Sequence, residues 1–416
     1  MSDEHPVSTR TAVAGESAEG REWFPGIEAL RGIAAMAVVV DHSWALANGS
    51  YSFGLGIVPG LGTWGVNVFF LLSGYLLADY FWAGRRRRSV LEYYIRRFFR
   101  IAPAYYVVVG FLFVFFADHT LLFSHVGIRQ VIANLSFTQW LTPGTSSNLN
   151  VDGSLWTLTI EMMLYAAMPL LAFFISRRPL AASLALAGCG VGYRLYDALG
   201  PGTLERWAFG AKSNVSAEIQ HIFIARQFLG ILPIFVLGMA TRWAVLHGRL
   251  GRWPTKPLRR PSVVVLVALL VPSLVLLREV QRASVYTHWI WFSGFDFLVC
   301  FLALPAILYG SRPVRGQLGP PMQVSVWLGE RSYGLYLWHF PVILSLYGMG
   351  PSTHPPQLSF LVLRLAGIVV ISVALAAGSY RFVEHPGREL GRQLGRRVGR
   401  RRQAPVVGVP VAGEAA

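Results

Sequence analysis

Apolar residues recur in ten long stretches, at 26–47, 63–83, 101–117, 154–175, 180–198, 221–243, 261–277, 288–310, 325–347 and 358–380. Each is close to the ~20 residues that cross a ~30 Å hydrocarbon core as a helix rising 1.5 Å per residue. The pattern predicts an all-α, polytopic integral membrane helix bundle of about ten transmembrane helices. Segment 127–141 (GIRQVIANLSFTQWL) is ambiguous, and loop charge arbitrates. If it does not cross, every basic cluster shares one side: Arg85–Arg88 with Arg96, Arg97 and Arg100, then Arg177-Arg178, the 242–260 run, Arg312/Arg315 and 381–402. Basic loops mark the cytoplasm, so both termini are expected there. Residues 118–153 then form an external loop with an amphipathic or re-entrant piece.

Several spans carry ionisable groups, which are costly in a bilayer and raise a functional hypothesis. The first holds Arg31 and the pair Asp41-His42. Arg31 and His42 are about 16 Å apart along a helix and near one face, so they mark two depths. With the expected topology, His42 lies about 9 Å below the outer end, Glu161 about 10 Å and His339 about 12 Å. Asp296 and Arg364 fall at similar depth, whereas Arg96, Arg97 and Arg100 gather at the inner end of the third span.

Composition agrees with a membrane protein: 54% hydrophobic, 14% charged, mean hydropathy +0.47. The formal net charge of +16 sits in short runs between apolar segments, a distribution that sets topology and touches anionic lipid without implying nucleic acid. Cys189 and Cys300 both lie in apolar segments, so no disulfide or thiolate site is indicated. Residues 1–22 lack a signal-peptide pattern and are expected to be a disordered cytoplasmic tail. The membrane domain is expected over 23–387, with 388–416 a basic, disordered cytoplasmic tail.

Among the candidate chemical groups, His42 suits general-base work, because neutral imidazole accepts a proton near pH 7. Asp41 points ~100° away on a helix, so Glu161 or His339 on another helix is an alternative orienting partner. Glu161, at the end of W-T-L-T-I-E, has three open roles: orienting His42, taking a proton itself, or pairing with Arg364. Arg97 and Arg100 face one way at i, i+3, with planar donors suited to phosphate, although juxtamembrane arginines also serve as topology anchors. The run from Ser332 to His339 suits close helix packing as much as catalysis. No hydrolase, P-loop or zinc-protease motif stands out, and no metal-ligand spacing appears, so no metal is expected.

Together these motifs resemble the acyltransferase 3 family of membrane O-acyltransferases. R-G-I-A-A-M-A-V-V-V-D-H (Arg31–His42) is similar to its R-x10-H signature, and Gly65–Leu77 to its G-V-D-x-F-F-x-L-S-G stretch, with Asn67 where Asp is common. Arg97–Tyr105 resembles R-x-x-R-I-x-P-x-Y, and Ser154–Glu161 resembles W-S-L-x-x-E with Thr157 replacing Ser. Gly329–His339 and Phe382–Pro386 complete the set, the last with His385 where Arg is usual. The resemblance implies a multi-pass protein of the bacterial cell membrane that moves an acyl group, commonly acetyl, from acyl-CoA to a hydroxyl. It implies no permanently bound cofactor, with acyl-CoA as donor, and a macrolide-type metabolite or cell-surface glycan as acceptor. No extracytoplasmic hydrolase-like domain is expected beyond the basic tail. His42 is then the expected base, supported by Glu161 or Asp41. Arg97, Arg100 and Arg31 are expected to bind the donor, and Ser73, Tyr333 and His339 to support substrate or structure. A transporter using the same charges for coupling is the rival reading, but no paired broken helices mark two inverted halves.

Overall fold

A computed structural model describes residues 23–47, 60–83, 89–146, 154–211, 213–251, 255–286, 295–347 and 358–401. The expectations for 1–22, Arg85–Arg88 and 402–416 lie outside the described residues. The described residues form seventeen α-helices. They are α1 (Pro25–Ala47), α2 (Leu61–Trp82), α3 (Val90–Phe115), α4 (His119–Leu122), α5 (His125–Leu135), α6 (Pro143–Ser146), α7 (Trp156–Arg177), α8 (Pro179–Leu199) and α9 (Thr203–Phe209). Then come α10 (Ala217–Ala225), α11 (Phe228–Leu246), α12 (Val263–Tyr286), α13 (Phe295–Gly310), α14 (Pro320–Glu330), α15 (Ser332–Tyr347), α16 (Leu358–Ser379) and, after a π-helical turn at Tyr380–Glu384, α17 (His385–Arg401). Among the described residues there is no β-strand, only an isolated bridge between Leu258 and Val314.

Each expected apolar stretch falls on helix over its described residues, with 288–294 outside them. Two are interrupted: 221–243 breaks at Arg226-Gln227 between α10 and α11, and 325–347 breaks at Arg331 between α14 and α15. Five described helices are long and apolar enough to cross a membrane: Leu61–Trp82, Val90–Phe115, Trp156–Arg177, Phe228–Leu246 and the continuous rod Val362–Gly399. Segment 127–141 holds only the 11-residue α5, about 16 Å long and too short to span. It docks on α3, where the Tyr105 and Tyr106 hydroxyls donate to the carbonyls of Asn134 and Leu135, both at 2.8 Å.

The bundle is organised around α1, which packs against α2, α13, α14, α15 and α16. Pro25 starts this helix, where its missing N–H costs nothing, and Glu28 favours the positive end of the dipole. Ala29, Leu30, Ala34, Ala35, Val38 and Val39 are all buried. Small residues bring the neighbouring backbones close, as expected where packing rather than water drives association. A Cβ on Gly32 would sit 2.7 Å from the Ser325 carbonyl oxygen, so α14 tolerates nothing larger there.

Residues 388–401, expected as part of a disordered tail, are instead helical in α17 and packed on α3. Glycines at every fourth position, 387, 391, 395 and 399, form the contact face: a Cβ on Gly391 would meet Phe99 Cβ at 2.6 Å. The charge-rich composition concealed this stripe of small residues.

Candidate active site

A cavity of about 290 Å³ lies between α1, α2, α3, α7 and α15, and its walls include Glu28, Arg31, Ser73, Arg97, Arg100, Glu161, Tyr165, Tyr333 and Tyr336. Six of these, Arg31, Ser73, Arg97, Arg100, Glu161 and Tyr333, are residues the sequence singles out. Arg97 and Arg100 reach it together because i, i+3 spacing puts them on one face of α3. The Arg97 guanidinium lies 5.8 Å from the Tyr93 ring centroid and 5.9 Å from that of Tyr165. Arg100 interacts electrostatically with Glu161, Glu28 and Glu384. Arg31 pairs with Glu28 at 3.0 Å, and Arg388 of α17 pairs with Glu384 at 2.9 Å. The charged wall balances Arg31, Arg97 and Arg100 against Glu28, Glu161 and Asp79, but Asp79 is paired with Arg242 and Arg388 with Glu384, which leaves one arginine charge in the cavity for an anion.

Elsewhere on the same central helix, His42 meets α15. His42 Nδ1 lies 2.8 Å from His339 Nε2, and the rings are close to coplanar at 17°. His339 Nδ1 lies 2.6 Å from the Tyr336 carbonyl oxygen. A carbonyl only accepts, so His339 Nδ1 carries a proton and donates it; neutral His339 then has its lone pair at Nε2. That lone pair accepts from His42 Nδ1–H, which puts the lone pair of neutral His42 on Nε2. Two hydrogen bonds therefore assign both tautomers, and His42 presents a base. His339 is fully buried, whereas His42 is half-buried and edged by Phe340.

Tyr336 joins the two regions. Its backbone carbonyl anchors His339, while its side chain lines the cavity. Its hydroxyl donates to the Ser154 carbonyl and meets Thr157 Oγ1 at 2.7 Å. Thr157 supplies the hydroxyl that Ser would supply at this position of the motif. Asn67 also has a physical reason: its amide Nδ2 lies 3.4 Å from Asp296 Oδ2, where a second carboxylate would repel.

Two expected supports of His42 sit elsewhere. Asp41 Oδ1 accepts from the Gly60 N–H at 2.8 Å, at the start of α2. Gly60 holds φ 95°, and a Cβ on Gly62 would lie 2.6 Å from Asp41 Oδ2, so both glycines serve this close cap. Glu161 accepts from the Tyr165 hydroxyl and interacts electrostatically with Arg100, and no described contact links it to His42. Depth along a helix placed Glu161 near His42; instead it lines the cavity together with Arg31, Arg97 and Arg100. Asp296 likewise belongs to another network, paired with Arg194 at 2.5 Å.

One residue escaped the sequence reading. Arg226, at the α10–α11 break, lies over the Trp156 ring at 4.8 Å and interacts electrostatically with Asp41, His42 and Tyr336. An arginine inside an apolar stretch was the available signal.

The family model described as an acyltransferase domain matches residues 24–378. The peptidoglycan O-acetyltransferase OatA of Listeria monocytogenes is 24% identical over 404 residues, covering 89% of this chain and 56% of its own. The putative peptidoglycan O-acetyltransferase YrhL of Bacillus subtilis is 26% identical over 396 residues, with 88% and 55% covered. The acyltransferase MdmB of Streptomyces mycarofaciens is 26% identical over 379 residues, with 87% and 91% covered. The chain therefore spans about half the length of OatA and YrhL and most of MdmB. No solved structure matches it.

Proposed function

Since this chain belongs to the acyltransferase 3 family, we propose that it is a membrane O-acyltransferase moving a short acyl group, acetyl foremost, from acyl-CoA to a hydroxyl. The acceptor class is a macrolide-type metabolite or a cell-surface glycan; the peptidoglycan named for OatA and YrhL supports the glycan side. The protein works in the bacterial plasma membrane, crossing it about ten times with both termini in the cytoplasm. The observation that carries the reading is the imidazole pair, joined through Tyr336 to a cavity rich in arginine.

In this mechanism Arg97 and Arg100, with Arg31 and Arg388 nearby, hold the donor's phosphates, for which planar guanidinium donors are suited. The pantetheine arm extends along the cavity towards Tyr336. His42 Nε2 removes the acceptor's hydroxyl proton as that oxygen attacks the thioester carbonyl carbon. The new C–O bond forms, the C–S bond breaks, and the CoA thiolate leaves with the electron pair. His42 then returns the proton to that sulfur. His339 keeps His42 Nδ1–H engaged throughout, so the imidazolium retains the partner the neutral ring had. Glu161 holds Tyr165 and Arg100 in place on the donor side. Ser73 and Tyr333 line the cavity and support the bound substrate there.

The test is a membrane-fraction assay with radiolabelled acetyl-CoA and an extract of the host's glycans and secreted metabolites. Label entering a discrete product supports the proposal and identifies the acceptor by its mass. No transfer from any short acyl-CoA would favour transport instead.

A further inference from the structure

Away from this cavity, three side chains from consecutive helices meet at one corner of the fold. Asp197 in the last turn of α8, Glu205 of α9 and His221 of α10 each offer a ligand atom, all within 4.8 Å of one another. His221 Nδ1 lies 3.1 Å from Asp197 Oδ2 and 3.3 Å from Glu205 Oε1. Zinc bonds of ~2.0–2.1 Å set the edges of a tetrahedral site at about 3.3–3.4 Å, close to both spacings from His221, while the carboxylates lie within 4.8 Å of each other.

Burial makes the cluster costly without a cation. The Asp197 side chain is 0% exposed and that of Glu205 11%. Asp197 Oδ1 and Glu205 Oε2 are both buried and have no hydrogen-bond partner among the described residues. A single Nδ1–H on His221 can donate fully to only one of the two carboxylates, which leaves the other undersupplied. Arg194, one turn before Asp197, pairs with Asp296 at 2.5 Å and acts on Asp197 through electrostatics. His221 is 24% exposed and leaves a path from solvent.

We propose that Asp197, Glu205 and His221 bind a divalent cation of the zinc type, with solvent completing the coordination. One nitrogen and two carboxylate ligands suit that class of ion. The ion ties α9 and α10 to the end of α8, and α10 runs directly into Arg226. Its role is to hold that corner, independently of the acyl-transfer reading.

The experiment uses the full chain purified in detergent, with any affinity tag removed. After equilibration with zinc and desalting, elemental analysis should find a single ion per chain. In Asp197→Asn and His221→Ala the retained zinc should fall by about tenfold or more. Zinc should also raise the thermal midpoint of the wild type and leave that of both variants unmoved. Should the variants not fold, the wild type decides alone: cobalt must give a saturable tetrahedral visible spectrum that zinc displaces. A wild type that retains no zinc and shows no such spectrum overturns the proposal. So does a folded Asp197→Asn protein that keeps its zinc undiminished.

Discussion

His42 and His339 stand 297 residues apart in the chain, yet their imidazoles share a hydrogen bond of 2.8 Å. With His339 Nδ1 held by the Tyr336 carbonyl at 2.6 Å, the donor and acceptor roles along this chain of groups follow. In the proposed mechanism a neutral histidine takes the place that a carboxylate often holds behind a catalytic imidazole.

If His339 orients His42, removing it should lower kcat even though it never touches substrate. His339→Ala is expected to lose about 10²-fold or more in kcat, within the usual range for a general base. His339→Gln should recover part of that loss, because its amide oxygen can accept from His42 Nδ1–H. Equal turnover by wild type and His339→Ala, at matched protein levels, would reduce the contact to packing.

Asp41 is predicted to act as a cap and not as a catalytic carboxylate. Asparagine caps a helix as well as aspartate, whereas alanine costs about 0.5–2 kcal/mol. Asp41→Asn should therefore keep near-normal turnover, while Asp41→Ala lowers the thermal midpoint in detergent. Loss of turnover in Asp41→Asn with unchanged stability would restore a direct role for its charge.

The length and spacing of the apolar stretches made most of the bundle legible. A spanning helix leaves a long hydrophobic run whatever its neighbours are. The breaks at Arg226 and Arg331 were not legible in that pattern, since one polar residue barely alters a long apolar average. Helix α17 was hidden by its charge, although the repeat of Gly387, Gly391, Gly395 and Gly399 was there to be seen. At the site, the grouping of Arg31, Arg97 and Arg100 followed from depth and facing. The partner of His42 did not, because similar expected depths on separate helices do not fix which side chains meet: His339 reaches His42, and Glu161 lines the arginine cavity.

The arginine cluster predicts a donor-specific defect. Replacing Arg97 and Arg100 together by Gln removes charge-assisted contacts worth about 1.5–3 kcal/mol each. The KM for acyl-CoA should rise by about tenfold or more. An apparent KM unchanged across a full saturation curve would leave both as topology anchors.

Helix α17 predicts a structural effect at a distance from the histidines. Gly391→Leu places a side chain against Phe99, and overpacking of this kind costs about 1–3 kcal/mol. With α17 displaced, Arg388 shifts from Glu384, and the donor KM should rise while limited proteolysis cuts within 385–401. A protease pattern identical to wild type would mean that α17 does not seat on α3.

In the proposed mechanism His42 is the base for acyl transfer. Its most direct test follows labelled acyl groups from acyl-CoA into product, comparing wild type with His42→Ala in membranes holding equal amounts of folded protein. The predicted result is transfer by the wild type and a loss of about 10²–10⁴-fold in the variant, with acyl-CoA binding retained. Near-normal transfer by His42→Ala would contradict the account.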